Sequence, residues 1–133
     1  MGPESSPLFS IVHKVRETQY SSLVCAHRGD SQNAPENTMA AFKAAIEADS
    51  ELIEMDIREC ADGEIVVFHD GKLERTTNGV GEVKKHTLKE LQKLDAGSWF
   101  GPAFAEEKIP SFDEFLELVK GRTVPMIEVK DRI

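Results

Sequence analysis

The sequence predicts an α/β fold built as a barrel of βα units, and three observations carry that expectation. Strand-like and helix-like segments alternate along the chain, as they do when parallel strands are joined by crossover helices. The apolar strand runs end in polar residues, at His27, at Glu54 with Asp56, and at Glu128 with Lys130. In such a barrel the chemistry collects at the C-terminal ends of the strands, so these three strands would deliver polar groups to one rim.

Residues 1–20 read as an N-terminal arm, in which Pro3, Pro7 and several serines precede a short Ile11, Val12, Val15 pattern. The domain is expected over 21–133. Leu23, Val24, Cys25 and Ala26 form a short apolar run that stops at His27-Arg28-Gly29-Asp30, the pattern of a buried strand entering a loop. Asn37 or Thr38 can cap a helix carrying Met39, Phe42 and Ile46 at helical spacing and running to about Asp49. Leu52 to Ile57 is the next strand, with Ile53, Met55 and Ile57 on one face and Glu54 and Asp56 on the other. Asp62-Gly63 then signals a hairpin into Glu64 to Phe68, and a two-residue turn there would set Asp56 opposite His69.

Residues 71–110 read as a small insertion subdomain, longer than an ordinary connection. It contains the capping box Thr87 to Glu90 and a stretch with Trp99, Phe100 and Phe104, whose rings suit a local core better than a substrate mouth. Ser111 and Glu114 form a second capping box, opening a helix with Phe112, Phe115, Leu116 and Val119 that Gly121 ends. Thr123 to Lys130 is the last strand, with Glu128 and Lys130 on one face. An open strand edge there would favour self-association, and Ile53, Met55, Ile127 and Val129 are expected to be only partly covered.

Composition narrows the function classes. At 133 residues and 40% apolar content the chain can build one core. A net charge of -8, from 24 acidic and 16 basic residues, argues against nonspecific binding to nucleic acid or anionic membranes. Cys25 and Cys60 form neither a disulfide framework nor a CxxC pair, which suits a reducing, cytoplasmic setting. No apolar run approaches the ~20 residues of a transmembrane helix, so stable membrane insertion is not expected.

Glu54, Asp56 and Glu128 are oxygen donors on otherwise apolar strands, and such carboxylates could not all stay ionised together without a cation. A divalent cation, Mg²⁺ or Ca²⁺, is the economical answer, although an ExD pair by itself is more often a salt-bridged surface feature. His27 and His69 could supply an acid and a base beside these carboxylates, because histidine titrates near ~6.5. Arg28 and Lys130 could hold an anionic group in an otherwise acidic protein. His13 and His86 attract no role.

Taken in order, His27-Arg28-Gly29, Ala34-Pro35-Glu36-Asn37-Thr38, Glu54-Met55-Asp56, Asp62-Gly63, His69-Asp70, Arg75-Thr76-Thr77, Asn78-Gly79 and Glu128-Val129-Lys130 closely resemble the glycerophosphodiester phosphodiesterase family. The resemblance implies a TIM-type barrel with a small insertion; since eight strands need ~250 residues, the chain would hold its N-terminal half. It further implies a divalent cation on Glu54, Asp56 and Glu128, His27 and His69 as acid and base, and Arg28 and Lys130 as phosphate contacts. The implied reaction is hydrolysis of small-molecule glycerophosphodiesters to glycerol 3-phosphate and an alcohol. A mechanism like that of the phosphoinositide phospholipases C would have the neighbouring glycerol hydroxyl attack phosphorus before water opens the cyclic ester. Asp49-Ser50-Glu51 replaces the family's usual Gly-Ala-Asp, and Cys60 stands where threonine is common. The alternatives are an inactive barrel fragment and a related phosphodiesterase acting on lysophospholipids.

Overall fold

The computed structural model describes residues 24–131, so the expected arm lies outside the described residues. In chain order the regular elements are β1 (Cys25–His27), α1 (Met39–Glu47), β2 (Leu52–Glu59), β3 (Ile65–Val67), α2 (Leu88–Leu91), α3 (Phe112–Val119) and β4 (Val124–Val129). β2 is the centre of a four-stranded sheet, paired in parallel with β1 and β4 and antiparallel with β3. The carbonyls of Glu54 and Asp56 accept from Arg28 and Phe68, whereas those of Glu51 and Ile57 accept from Val124 and Lys130. β1 and β3 therefore share one edge of β2, and β4 takes the other. The parallel strands and their helices form part of a (β/α) barrel, in keeping with the expected α/β class.

The period-two reading of β2 holds. Ile53, Met55 and Ile57 are buried with Phe42 and Ala45 of α1 and Phe115 and Val119 of α3, and Phe42 meets Phe115 edge to face at 4.7 Å. One expectation fails here: Ile53 and Met55 are completely covered, because both helices close over the middle strand. Ile127 and Val129 of β4 are 42% and 54% exposed, as anticipated. Strand β1 departs from its buried reading, with Cys25 and His27 exposed.

The helices begin where their caps dictate. Thr38, rather than Asn37, caps α1 by accepting from the Ala41 amide at 3.3 Å. Both expected capping boxes are complete, Thr87 with Glu90 at α2 and Ser111 with Glu114 at α3. Gly29 must be glycine on two counts: its φ is +79°, and a Cβ there would lie 2.8 Å from the Ala41 backbone.

The hairpin differs from its expected register by one position. Ile57 faces Val67 and Glu59 faces Ile65, while the Cys60 amide donates to the Glu64 carbonyl. The turn thus contains Ala61, Asp62 and Gly63, with Gly63 at φ +82°, the left-handed position of a three-residue turn. Asp56 consequently pairs with Phe68, and His69 lies one residue beyond.

β3 separates two cores. Val67 points into the helix-covered cluster, while Val66 and Phe68 join Cys60, Leu73, Val83, Leu91, Ala96 and Ile109 in a second cluster supplied mostly by the segment after β3. Outside that cluster, in the same segment, Phe100 packs edge to face against both Phe104 and the exposed Trp99, whose indole N–H donates to the Ala96 carbonyl at 3.0 Å. The segment docks on α1 through Glu107, whose carboxylate accepts from the Ala40 amide at 3.0 Å.

Phe115→Ala should cost about 3–5 kcal/mol, because it empties the junction of α1, α3 and β2. Leu116→Ala on the outer side of the same helix should change stability by less than about 0.5 kcal/mol. Urea denaturation of both variants checks this, and equal losses would mean that α3 does not bury the face described.

Candidate active site

The register of the parallel strands assembles the polar residues. His27 lies beside Glu54 on the neighbouring strand, and Asp56 lies beside Glu128. Glu54, Asp56 and Glu128 each offer a carboxylate oxygen within 4.8 Å of the others. Asp56 is 1% exposed, Glu54 is half-buried and Glu128 is exposed, so the cluster opens from a buried base toward solvent.

Cations and donors surround this base. Asn37 Nδ2 donates to Asp56 Oδ2 at 3.0 Å, and Arg28 Nε lies 3.6 Å from the same oxygen. Lys130 Nζ lies 2.9 Å from Glu128 Oε1 and 3.8 Å from Asp56 Oδ1. His27 Nε2 is 3.4 Å from Glu54 Oε2, which also accepts from the Arg28 amide at 3.1 Å. Burial, and then the neighbouring Asp56 charge, raise the pKa of Glu54, whereas the Lys130 hydrogen bond lowers that of Glu128.

Glu54 Oε1, Asp56 Oδ1 and Asn37 Oδ1 are buried acceptors with no hydrogen-bond partner among the described residues. Unsatisfied oxygens of this kind are costly, and three carboxylates at one point repel one another. An all-oxygen donor set of this charge fits a hard divalent cation, so the cluster could bind a metal.

His69 is reached by a different route. The Arg58 guanidinium holds the His69 backbone carbonyl, at 2.9 Å from Nε and 2.6 Å from Nη2. Asp70 Oδ1 lies 2.7 Å from His69 Nδ1. Arg75 binds Asp70 and Glu36 together, and Glu36 also accepts from Arg28. The Arg75 hydrogen bond, helped by His69, depresses the Asp70 pKa well below the usual carboxylate range. A depressed value means that this tie stabilises the fold above the ordinary Asp pKa near ~3.9 and is lost as pH falls through the lower folded value. His86 lies elsewhere, against Glu90 and the Val80 carbonyl.

The sequence reading singled out His27, Arg28, Glu54, Asp56, His69, Glu128 and Lys130, and missed Asn37, Glu36, Asp70 and Arg75. Asn37 is one of two cap candidates in the sequence; Thr38 takes the cap, and the φ of 55° at Asn37 and its bond to Asp56 give it another task. The available signal was position, since Asp70 directly follows His69 and the other three stand in motifs of the same ordered series.

A sequence model of the Glycerophosphoryl diester phosphodiesterase family matches residues 27–132. The chain is 51% identical over 113 residues to a glycerophosphodiester phosphodiesterase of Caldanaerobacter subterraneus, spanning 84% of this chain and 46% of that protein. Among solved structures, a glycerophosphodiester phosphodiesterase from Agrobacterium tumefaciens superposes with a TM-score of 0.80 at 42% identity, over 82% of this chain and 47% of the other. An Oleispira antarctica phosphodiesterase in complex with the product sn-glycerol-3-phosphate gives 0.80 at 40% identity, over 84% and 46%. The chain thus spans under half the length of these relatives.

Asn37→Gly keeps the left-handed backbone but removes a hydrogen bond to a charged group, and should cost about 1.5–3 kcal/mol. Asn37→Ala should cost about 1 kcal/mol more, the added strain of a left-handed residue. Denaturation curves check the order; equal stability of Asn37→Gly and wild type would mean that the bond to Asp56 is of no consequence.

Proposed function

Because the chain belongs to the glycerophosphoryl diester phosphodiesterase family, we propose that it carries the metal-binding and acid–base residues of a hydrolase that converts glycerophosphodiesters to glycerol 3-phosphate and an alcohol. One observation supports this above others: the buried Asp56 stands between Glu54 and Glu128, its Oδ1 and Glu54 Oε1 without a hydrogen bond among the described residues, and is bordered by Arg28 and Lys130. The sn-glycerol-3-phosphate bound to the Oleispira relative is the product this reading assigns.

Glu54, Asp56 and Glu128 would hold Mg²⁺ or Ca²⁺, with the buried Asp56 least free to move. When bound, the cation would act as a Lewis acid on the phosphoryl group. Arg28, held by Glu36 through Nη1, offers its positive charge and remaining N–H donors, and Lys130 a point charge, to the phosphate oxygens, offsetting the repulsion between an anionic diester and three carboxylates. His69 donates from Nδ1 to Asp70, which leaves Nε2 to exchange a proton. His27 stands at the mouth of the carboxylate cluster, and with His69 it completes the pair needed to take a proton from the attacking oxygen and give one to the leaving alcohol.

No described helix is long and apolar enough to cross a membrane. A cytoplasmic location belongs to the proposal, supported by the free thiols of Cys25 and Cys60. So do the division into an arm at 1–20 and a domain at 21–133 with its insertion at 71–110, and self-association through β4, whose outer edge is unpaired among the described residues.

Release of glycerol 3-phosphate from glycerophosphocholine tests the reading. Activity should disappear in excess chelator and return with Mg²⁺ or Ca²⁺, and His27→Ala and His69→Ala should each lower turnover by about 10²- to 10⁴-fold. Undiminished hydrolysis in chelator, or by either variant, would overturn the assignment concerned.

A further inference from the structure

The Arg75-Thr76-Thr77 motif and the Glu36 loop have no task in the chemistry above, yet they meet at the site. Arg75 Nε and Nη2 donate to Asp70 Oδ2 and Oδ1 at 2.8 and 2.9 Å, while Nη1 and Nη2 donate to Glu36 Oε1 and Oε2 at 3.0 and 2.9 Å. These contacts occupy both edges of the guanidinium fork, leaving little of its donor capacity for a substrate phosphate. Glu36, whose side chain is 11% exposed, also accepts from Arg28 Nη1 at 3.3 and 3.2 Å.

The supports behind both residues are rigid. Leu73 is fully buried in the second core, and its carbonyl accepts from the amide and hydroxyl of Thr77, forming a tight turn around Arg75. The Asn37 amide donates to the Arg28 carbonyl, and the Thr38 hydroxyl to the Pro35 carbonyl, enclosing Glu36 in a short loop. Arg28 sits at φ 57°, a conformation that persists only where neighbours enforce it. The His69 backbone is held by Arg58, so Asp70 and Arg75 are left to govern the ring.

We propose that Arg75 and Glu36 are positioning residues: by bridging Asp70 to Arg28 they lock the His69 imidazole and the Arg28 loop in one mutual arrangement, without touching the substrate. The proposal rests on the phosphodiesterase reading for its kinetic consequence but not for its structural one. Asp70 can orient His69 only if Asp70 is itself fixed, and the Arg75 fork fixes it.

The test combines a spectroscopic and a kinetic arm on the wild type and on Arg75→Gln, Arg75→Lys and Glu36→Gln. In ¹⁵N-histidine spectra the wild type should show a protected His69 Nδ1–H, which Arg75→Gln loses and Arg75→Lys partly retains. With glycerophosphocholine, Arg75→Gln should lower kcat by about 10- to 100-fold with little change in KM, and Arg75→Lys should recover part of the loss. Should Arg75→Gln fail to fold by thermal melting, Glu36→Gln carries the same test with a smaller loss of signal and of kcat. A raised KM with kcat intact would show that Arg75 binds substrate, and an unchanged His69 signal in folded variants would show that it does not orient the ring; either overturns the proposal. If the wild type hydrolyses no glycerophosphodiester, the functional reading fails and the spectra alone decide whether the bridge holds His69.

Discussion

The carboxylate of Asp56 is the constraint around which the described structure is arranged. It is almost completely buried on the middle strand of the sheet, where an uncompensated charge costs several kcal/mol. The surroundings answer that cost: the amide of Asn37 and the guanidinium of Arg28, from the loop between β1 and α1, and the ammonium of Lys130, from the end of β4, converge on it. None of these contacts is local in sequence. The site is therefore a consequence of the parallel pairing of β2 with β1 and β4, which brings the Asn37 and Arg28 loop and the Lys130 strand end to one place.

The two faces of β2 divide the work. Ile53, Met55 and Ile57 anchor the strand under α1 and α3, and that burial holds Glu54 and Asp56 pointing away from the helices. Backbone strain is concentrated next to this rim, where Arg28 and Asn37 both adopt positive φ. Each is pinned by hydrogen bonds, Arg28 to Glu54 and Asn37 to the Arg28 carbonyl and Asp56, so the strained loop is held by the strand that carries the carboxylates. The charged bridge from Glu36 through Arg75 to Asp70 extends the same principle to the loop of His69.

Much of this was legible in the sequence because it rests on periodicity and caps. The alternation in β2, the capping boxes at Thr87 and Ser111, and the polar strand ends depend on residues close in sequence. The misses depend on geometry that spacing does not specify. Asp62-Gly63 suggested a two-residue turn, but Ala61 joins the turn and Gly63 takes the left-handed position, moving the register by one residue. Asn37 and Thr38 are both good cap residues, and local sequence does not choose between them; only the Thr38 cap and the approach of β2 release the Asn37 side chain for Asp56. Arg75 and Glu36 are far apart in the chain, and nothing in either segment announces that their side chains meet.

The central claim is that the convergent carboxylates form a cation site with Asp56 at its base. Calorimetric titration of Mg²⁺ and Ca²⁺ into the wild-type protein and Asp56→Asn, with thermal melting in parallel, tests it most directly. The account predicts one bound ion per chain and stabilisation of the wild type by about 2.7 kcal/mol at a hundredfold excess over Kd, both strongly reduced in Asp56→Asn. Absence of binding and of any stabilisation in the folded wild type, or binding unaltered by Asp56→Asn, would contradict it.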